Sequence, residues 1–214
     1  MPPLPNPPPL DALIVAFDRA LRTLAAPAHA RRPNPGAAFP EPDLGADARQ
    51  ETGRLMRVNH TGEVCAQALY QGQALTVRDA DHHAALVAAA EEEVDHLAWC
   101  ESRLSELGTR TSLLNPLFYA TSFALGAASG LAGDRWNLAF LVETERQVEH
   151  HLSGHLDRIP PDDQRTRAIV EQMRIDEVGH ADMAEARGAA QMPSPIKSAM
   201  GLMAKVMTRS TYYL

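Results

Sequence analysis

The sequence predicts an all-α protein: four long helices in two antiparallel hairpins joined by one long crossover, with short N- and C-terminal amphipathic helices. Three observations lead there. Alanine is abundant and aromatic residues are only 5 % of the 214, which favours helix packing over a sheet. Glu-x-x-His occurs twice, at Glu93/His96 and Glu177/His180, and residues three apart share one helical face. Thr111 to Gly133 carries no charge at all and lies between the two motifs, as a connection between hairpins would.

Taken in order, residues 1–9 are proline-rich and are expected to be extended. Leu10 to Leu24 has apolar residues at 10, 13, 14, 17, 21 and 24, a helical period. Such a helix either packs on the main domain or serves an interface or a partner. Pro27, Pro33, Pro35, Pro40 and Pro42 make Ala25 to Ala46 a linker. The first long helix is expected from Asp47 to Val77, with Glu63 among small and uncharged neighbours. Gly62 and Gly72 each cost about 1 kcal/mol in a helix interior, which suggests a close approach at both. Asp79-Ala-Asp81 reads as a turn, with Asp81 as N-cap of a second helix ending near Gly108.

The uncharged stretch is long enough to span a bilayer, but Pro116, its Ser and Thr residues, and Gly126, Gly130 and Gly133 make it too polar for that. It is expected either to lie buried against the bundle or to rest in a membrane interface. A third helix runs from Asp134 to Arg158; Pro160 and Pro161 break it, and Asp162-Asp163 starts a fourth that reaches about Ala190. After Pro193 and Pro195, Ile196 to Arg209 forms a last helix with Ile196, Ala199, Met200, Met203, Val206 and Met207 on one face. It holds both lysines, Lys197 and Lys205, and suits a membrane surface or the end of the bundle equally. The chain thus divides into an N-terminal segment (1–46), a helical bundle (47–192) and a C-terminal helix (193–214).

Glu63 lies 16 residues before the first turn, near residue 79, and Glu93 and His96 lie 14 and 17 after it. Glu145 lies 16 before the second turn, near 161, and Glu177 and His180 lie 16 and 19 after it. Both hairpins therefore set their candidate ligands about 24 Å from a turn. Between Gly108 and Asp134 a helix would reach roughly 39 Å, enough to retrace the bundle and bring both heights together. One Glu from each of two helices and a Glu-x-x-His from each of the others is the ferritin-like arrangement for a dinuclear iron or manganese site. Carboxylate and imidazole suit those metals, whereas thiolates would select zinc or copper(I). Four carboxylates cancel the charge of two divalent ions, which makes their burial tolerable. The alternative is solvated helix faces with coincidental spacing.

Other residues draw less weight. Glu91, Glu92, Glu143 and Glu149 read as solvated or salt-bridged, His82 and His83 as exposed, and Cys100 as core. A net charge of −7 argues against nucleic acid as a partner. Cys65 and Cys100 form neither a disulfide framework nor a zinc finger, and the N-terminus lacks the features of a secretory signal, so a reducing cytoplasm is expected.

Asn59-His-Thr-Gly-Glu63 with Ala66, Leu69-Tyr70 and Gly72-Gln73, Glu93/His96, Glu145 before His150-His151, and Glu177/His180 resemble the demethoxyubiquinone hydroxylases of ubiquinone biosynthesis over residues 47 to 214. The resemblance implies two Fe ions held by Glu63, Glu93, His96, Glu145, Glu177 and His180. It places His151 near the metals as an outer residue and leaves open which of Tyr212 and Tyr213 matches a C-terminal family tyrosine. Tyr70 is either a core residue or a proton-relay group. The activity implied is O2-dependent hydroxylation of 2-polyprenyl-3-methyl-6-methoxy-1,4-benzoquinol. Implied partners are that quinol, O2, a membrane surface and other ubiquinone-biosynthesis proteins, and an oligomer stays open. The expected place is peripheral, on the cytoplasmic side of the cell membrane. The rival is a ferritin-like ferroxidase or iron-storage protein, with a manganese catalase as a weaker enzyme alternative.

Overall fold

In the computed structural model, residues 9–214 are described, and among them there are seven α-helices, one short 3-10 turn and no strand. The helices are α1 (Pro9–Ala25), α2 (Ala46–Thr76), α3 (Ala80–Glu106), α4 (Asn115–Leu131), α5 (Asp134–Arg158), α6 (Gln164–Ala186) and α7 (Ser194–Tyr213); Pro35–Ala38 is the 3-10 turn. The expected extended N-terminal segment lies outside the described residues except for Pro9, which begins α1.

Helices α2 and α3 form one hairpin and α5 and α6 the other. Asp79, not Asp81, caps α3: its carboxylate accepts from the backbone N–H groups of Asp81 and His82, both at 2.9 Å. The cap falls two residues early because the chain turns at Val77-Arg78, where Gln73 O takes the last α2 bond. Asp163 caps α6 through Thr166 N at 3.0 Å, and Arg103 reaches its buried carboxylate at 3.2 Å. Gly108 follows α3 with φ 68°, a left-handed conformation in which glycine lacks the Cβ penalty.

The uncharged segment is the crossover. As α4 it runs parallel to α2, since Thr61 meets Asn115 at 2.8 Å, Gly72 meets Phe123 and Thr76 meets Gly130. The two backbones touch. A Cβ on Gly126 would sit 2.2 Å from Leu69 O, and one on Gly72 only 2.3 Å from Phe123 O. Gly62 behaves otherwise than expected: nothing lies within 4 Å of its Cβ position, because it sits off the α4 contact. Among the described residues no helix is long and apolar enough to cross a membrane.

Two apolar clusters fill the space between the hairpins. One holds Met56, Trp99, Leu152 and Met173; the other holds Tyr70, Leu86, Leu141 and Ala184. On each of α2, α3, α5 and α6 the candidate ligands fall in sequence between these two layers. The flanking helices differ from a simple packed reading. Among the described side chains of α1, Ala20 and Leu24 join the core, while Ile14, Phe17 and Leu21 are about half exposed or more. On α7 Thr211 is buried, yet Leu202 and Val206 face solvent and Lys197 turns inward to Glu143 at 2.8 Å.

Candidate metal centre

Glu63 comes from α2, Glu93 and His96 from α3, Glu145 from α5, and Glu177 and His180 from α6. All six are buried and meet at one height. Their ligand atoms fall into two groups, each with all members within 4.8 Å of one another. The first is Glu63, Glu93, His96 and Glu177; the second is Glu93, Glu145, Glu177 and His180. Glu93 and Glu177 belong to both, so the six residues outline two adjacent positions that share two carboxylates.

Both imidazoles turn Nδ1 inward. His96 Nδ1 lies 3.0 Å from Glu93, 3.5 Å from Glu177 and 3.6 Å from Glu63; His180 Nδ1 lies 3.1 Å from Glu93 and 3.5 Å from Glu177. Each ring spends Nε2 on an outer carboxylate: Asp176 at 2.9 Å for His96 and Glu92 at 3.3 Å for His180. Glu92 is solvated and salt-bridged as expected, but sequence reasoning missed that its partner is His180, and it missed Asp176, which adjoins Glu177. The Tyr70 hydroxyl, at 1 % exposure, donates to Glu145 Oε1 at 2.6 Å.

Burial pushes the Glu63 and Glu145 carboxyls well above the usual carboxylate range, and neighbouring Glu93 and Glu177 push the same way. Burial also acts to raise Glu93, but His96 and His180 outweigh it and hold that carboxyl well below. Glu177 is lowered for the same reason, its histidine neighbours outweighing burial and Glu93. The imidazoles move the opposite way. Burial opposes their charge, yet the surrounding carboxylates raise His96 well above its ordinary value and His180 to about 12.

A pair of divalent cations fits this donor set. Buried Glu93 Oε1, Glu177 Oε2 and His180 Nδ1 converge at 3.1 and 3.5 Å without hydrogen-bond geometry, and buried polar atoms so placed are expensive unless something else binds them. Oxygen and nitrogen donors without thiolate favour iron or manganese over soft-metal chemistry.

The remaining expectations find varied places. His151 packs against His155 with ring centroids 3.9 Å apart and planes tilted by 60°, and among the described residues no hydrogen bond joins it to the six. Burial lowers the two imidazoles to about 4 and about 2. Tyr212 donates to Glu51 and lies under Arg54 and Arg158, while Tyr213 is exposed. Glu51 is 12 residues before Glu63, about 18 Å along α2. Cys100 is core, 3.9 Å from the Met173 sulfur.

Residues 50–211 match the family described as Ubiquinone biosynthesis protein COQ7. Several relatives carry the description 3-demethoxyubiquinol 3-hydroxylase. That of Dechloromonas aromatica is 60 % identical over 202 residues, 94 % of this chain and 98 % of its own. The Chromobacterium violaceum protein is 61 % identical over 203 residues, covering 95 % and 98 %. The Nitrosospira multiformis protein is 57 % identical over 211 residues, covering 99 % and 100 %.

Proposed function

This chain belongs to the Ubiquinone biosynthesis protein COQ7 family, and we propose from that premise that its six-residue cluster holds two irons and hydroxylates the ring of a polyprenylated demethoxyubiquinol with O2. It is a hydroxylase of ubiquinone biosynthesis. The observation that carries the two-iron reading is the pair of overlapping ligand groups sharing Glu93 and Glu177. The same placement supports a ferritin-like arrangement of residues 47–192, with 1–46 and 193–214 as appendages.

When bound, two ferrous ions supply the electrons and open positions that prepare O2 for insertion into an aromatic ring. The chain's own residues do the rest. Glu93 and Glu177 stand where each serves both positions, and Glu63 and Glu145 close the two ends. Asp176 and Glu92 fix which imidazole nitrogen faces inward. Tyr70 keeps a proton at Glu145 Oε1. Apolar layers on both sides keep bulk water from the cluster.

A polyprenyl tail resides in lipid, so the enzyme works at a membrane surface, peripherally and on the cytoplasmic side. Exposed Phe17 on α1, Leu117 on α4 and Leu202 and Val206 on α7 support that docking. The test combines metal analysis with turnover. Purified protein should hold two irons per chain and convert demethoxyubiquinol under O2; Glu145→Ala or Glu177→Ala should lose iron while circular dichroism stays helical. Full activity with two tightly held irons in either variant would refute the ligand set. Iron oxidation without quinol turnover would favour the ferroxidase. Leu202→Glu/Val206→Glu should weaken liposome flotation; unchanged flotation would remove α7 from the docking surface.

A further inference from the structure

We infer that Arg32, from the proline-rich linker, is a positioning residue that makes the two metal positions unequal, the His96 side retaining its ion and the His180 side exchanging it. The inference rests on the two-metal reading above.

The linker is a strap. It binds α3 through Ala28 N to Glu101 at 2.9 Å and Arg31 N to Asp95 at 2.6 Å. It then seats on α6, where a Cβ on Gly36 would lie 2.7 Å from Arg165 O. Helices α3 and α6 carry the two Glu-x-x-His motifs yet touch each other sparsely. Arg32 bridges them. Its Nε lies 2.7 Å from Asp95 of α3 and its Nη2 lies 2.8 Å from Asp176 of α6. Its guanidinium lies 4.9 Å from the Trp99 ring centroid, and that ring is 5.4 Å from the His96 ring.

Asp176 is therefore held on both oxygens. Oδ2 faces His96 Nε2 and Arg32, and Oδ1 accepts from Gln172 at 2.9 Å. Its side chain is 11 % exposed. The matching group across the centre is Glu92, 48 % exposed, with its longer side chain 3.3 Å from His180 Nε2. A fixed, desolvated carboxylate orients a ligand imidazole and strengthens its donor nitrogen; a solvated glutamate does so weakly. Arg32 supplies the difference, and it lies outside the 50–211 family match.

The test loads the full chain with Co(II) at both positions and follows its visible absorbance after excess chelator is added. Wild type should release two ions in two phases. Arg32→Ala should speed the slow phase about 10- to 100-fold and leave the fast phase alone. Arg32→Lys, which keeps the charge but not the fork, should fall between, and it serves if the alanine variant proves poorly helical. Asp176→Asn combined with Arg32→Ala should be no faster than Asp176→Asn alone, because both act on His96. Release of both ions in one phase, equal acceleration of both phases, or additive effects in the double variant would overturn the inference. Fewer than two cobalt ions per chain would overturn the two-metal reading, and this inference with it.

Discussion

Metal loading should expel protons, and the structure sets how many. Without metal, burial shifts the Glu63 and Glu145 carboxyls toward their protonated forms, and the carboxylates around them shift His96 and His180 toward theirs. Glu93 and Glu177, both lowered, are ionised. With two divalent ions the four carboxylates would all be ionised and the imidazoles neutral, so the loaded site is neutral. The exchange is therefore up to about four protons for two ions, at most one from each of Glu63, Glu145, His96 and His180. Each proton released makes binding about 1.4 kcal/mol more favourable per unit rise in pH, so the pair of ions gains up to about 5.5 kcal/mol per unit where all four are held. Calorimetric titration with Co(II) near pH 6.5, repeated in buffers of different protonation heat, reads the count from the slope. A release of one proton or none would refute the charge assignment.

Three further outcomes follow from particular contacts. Gly126→Val drives a side chain into Leu69 O and should cost about 1–3 kcal/mol, lowering the thermal midpoint of the metal-free protein by several degrees; an unchanged midpoint contradicts the backbone contact. His155 is lowered to about 2 by burial, so below about pH 6.5 the unfolded chain takes up a proton that the folded one refuses. Stability is then full above pH 6.5 and falls by about 2 kcal/mol by pH 5, and denaturant melts of His155→Gln should show a flatter pH dependence. Tyr70→Phe removes the donor to Glu145 and should keep two irons per chain while slowing hydroxylation about tenfold or more, and an unchanged rate would make Tyr70 a core residue only.

Relations within one helix or one hairpin were legible in the sequence. Glu93 and His96 share a face by periodicity, and equal distances from the turns bring Glu63 to Glu93 and Glu145 to Glu177. The uncharged connection and the glycine at 72 likewise announced a close neighbour. Relations between distant elements were not legible. Nothing local marks Arg32 as the partner of Asp176, 144 residues on, because a linker arginine looks the same whether it is solvated or clamped. Asp176 and Glu92 become visible only when the rotation of each imidazole is known. Gly62 misled because helix propensity reports a cost without saying whether a neighbour causes it. The apolar stripe of α1 left packing on the bundle and an interface both open, because periodicity cannot say what covers a stripe, and Phe17 is 66 % exposed.

The split of the six ligands between two hairpins also fixes an order in time. A chain growing from its N-terminus completes Glu63, Glu93 and His96 long before Glu177, which follows His96 by 81 residues (177 − 96). At typical ribosomal speed that interval is roughly four to sixteen seconds. During it the first hairpin owns three ligand groups and no opposing hairpin to dehydrate them. The six-residue cluster is therefore completed last, when α6 arrives, and a metal bound there would close a nearly finished protein.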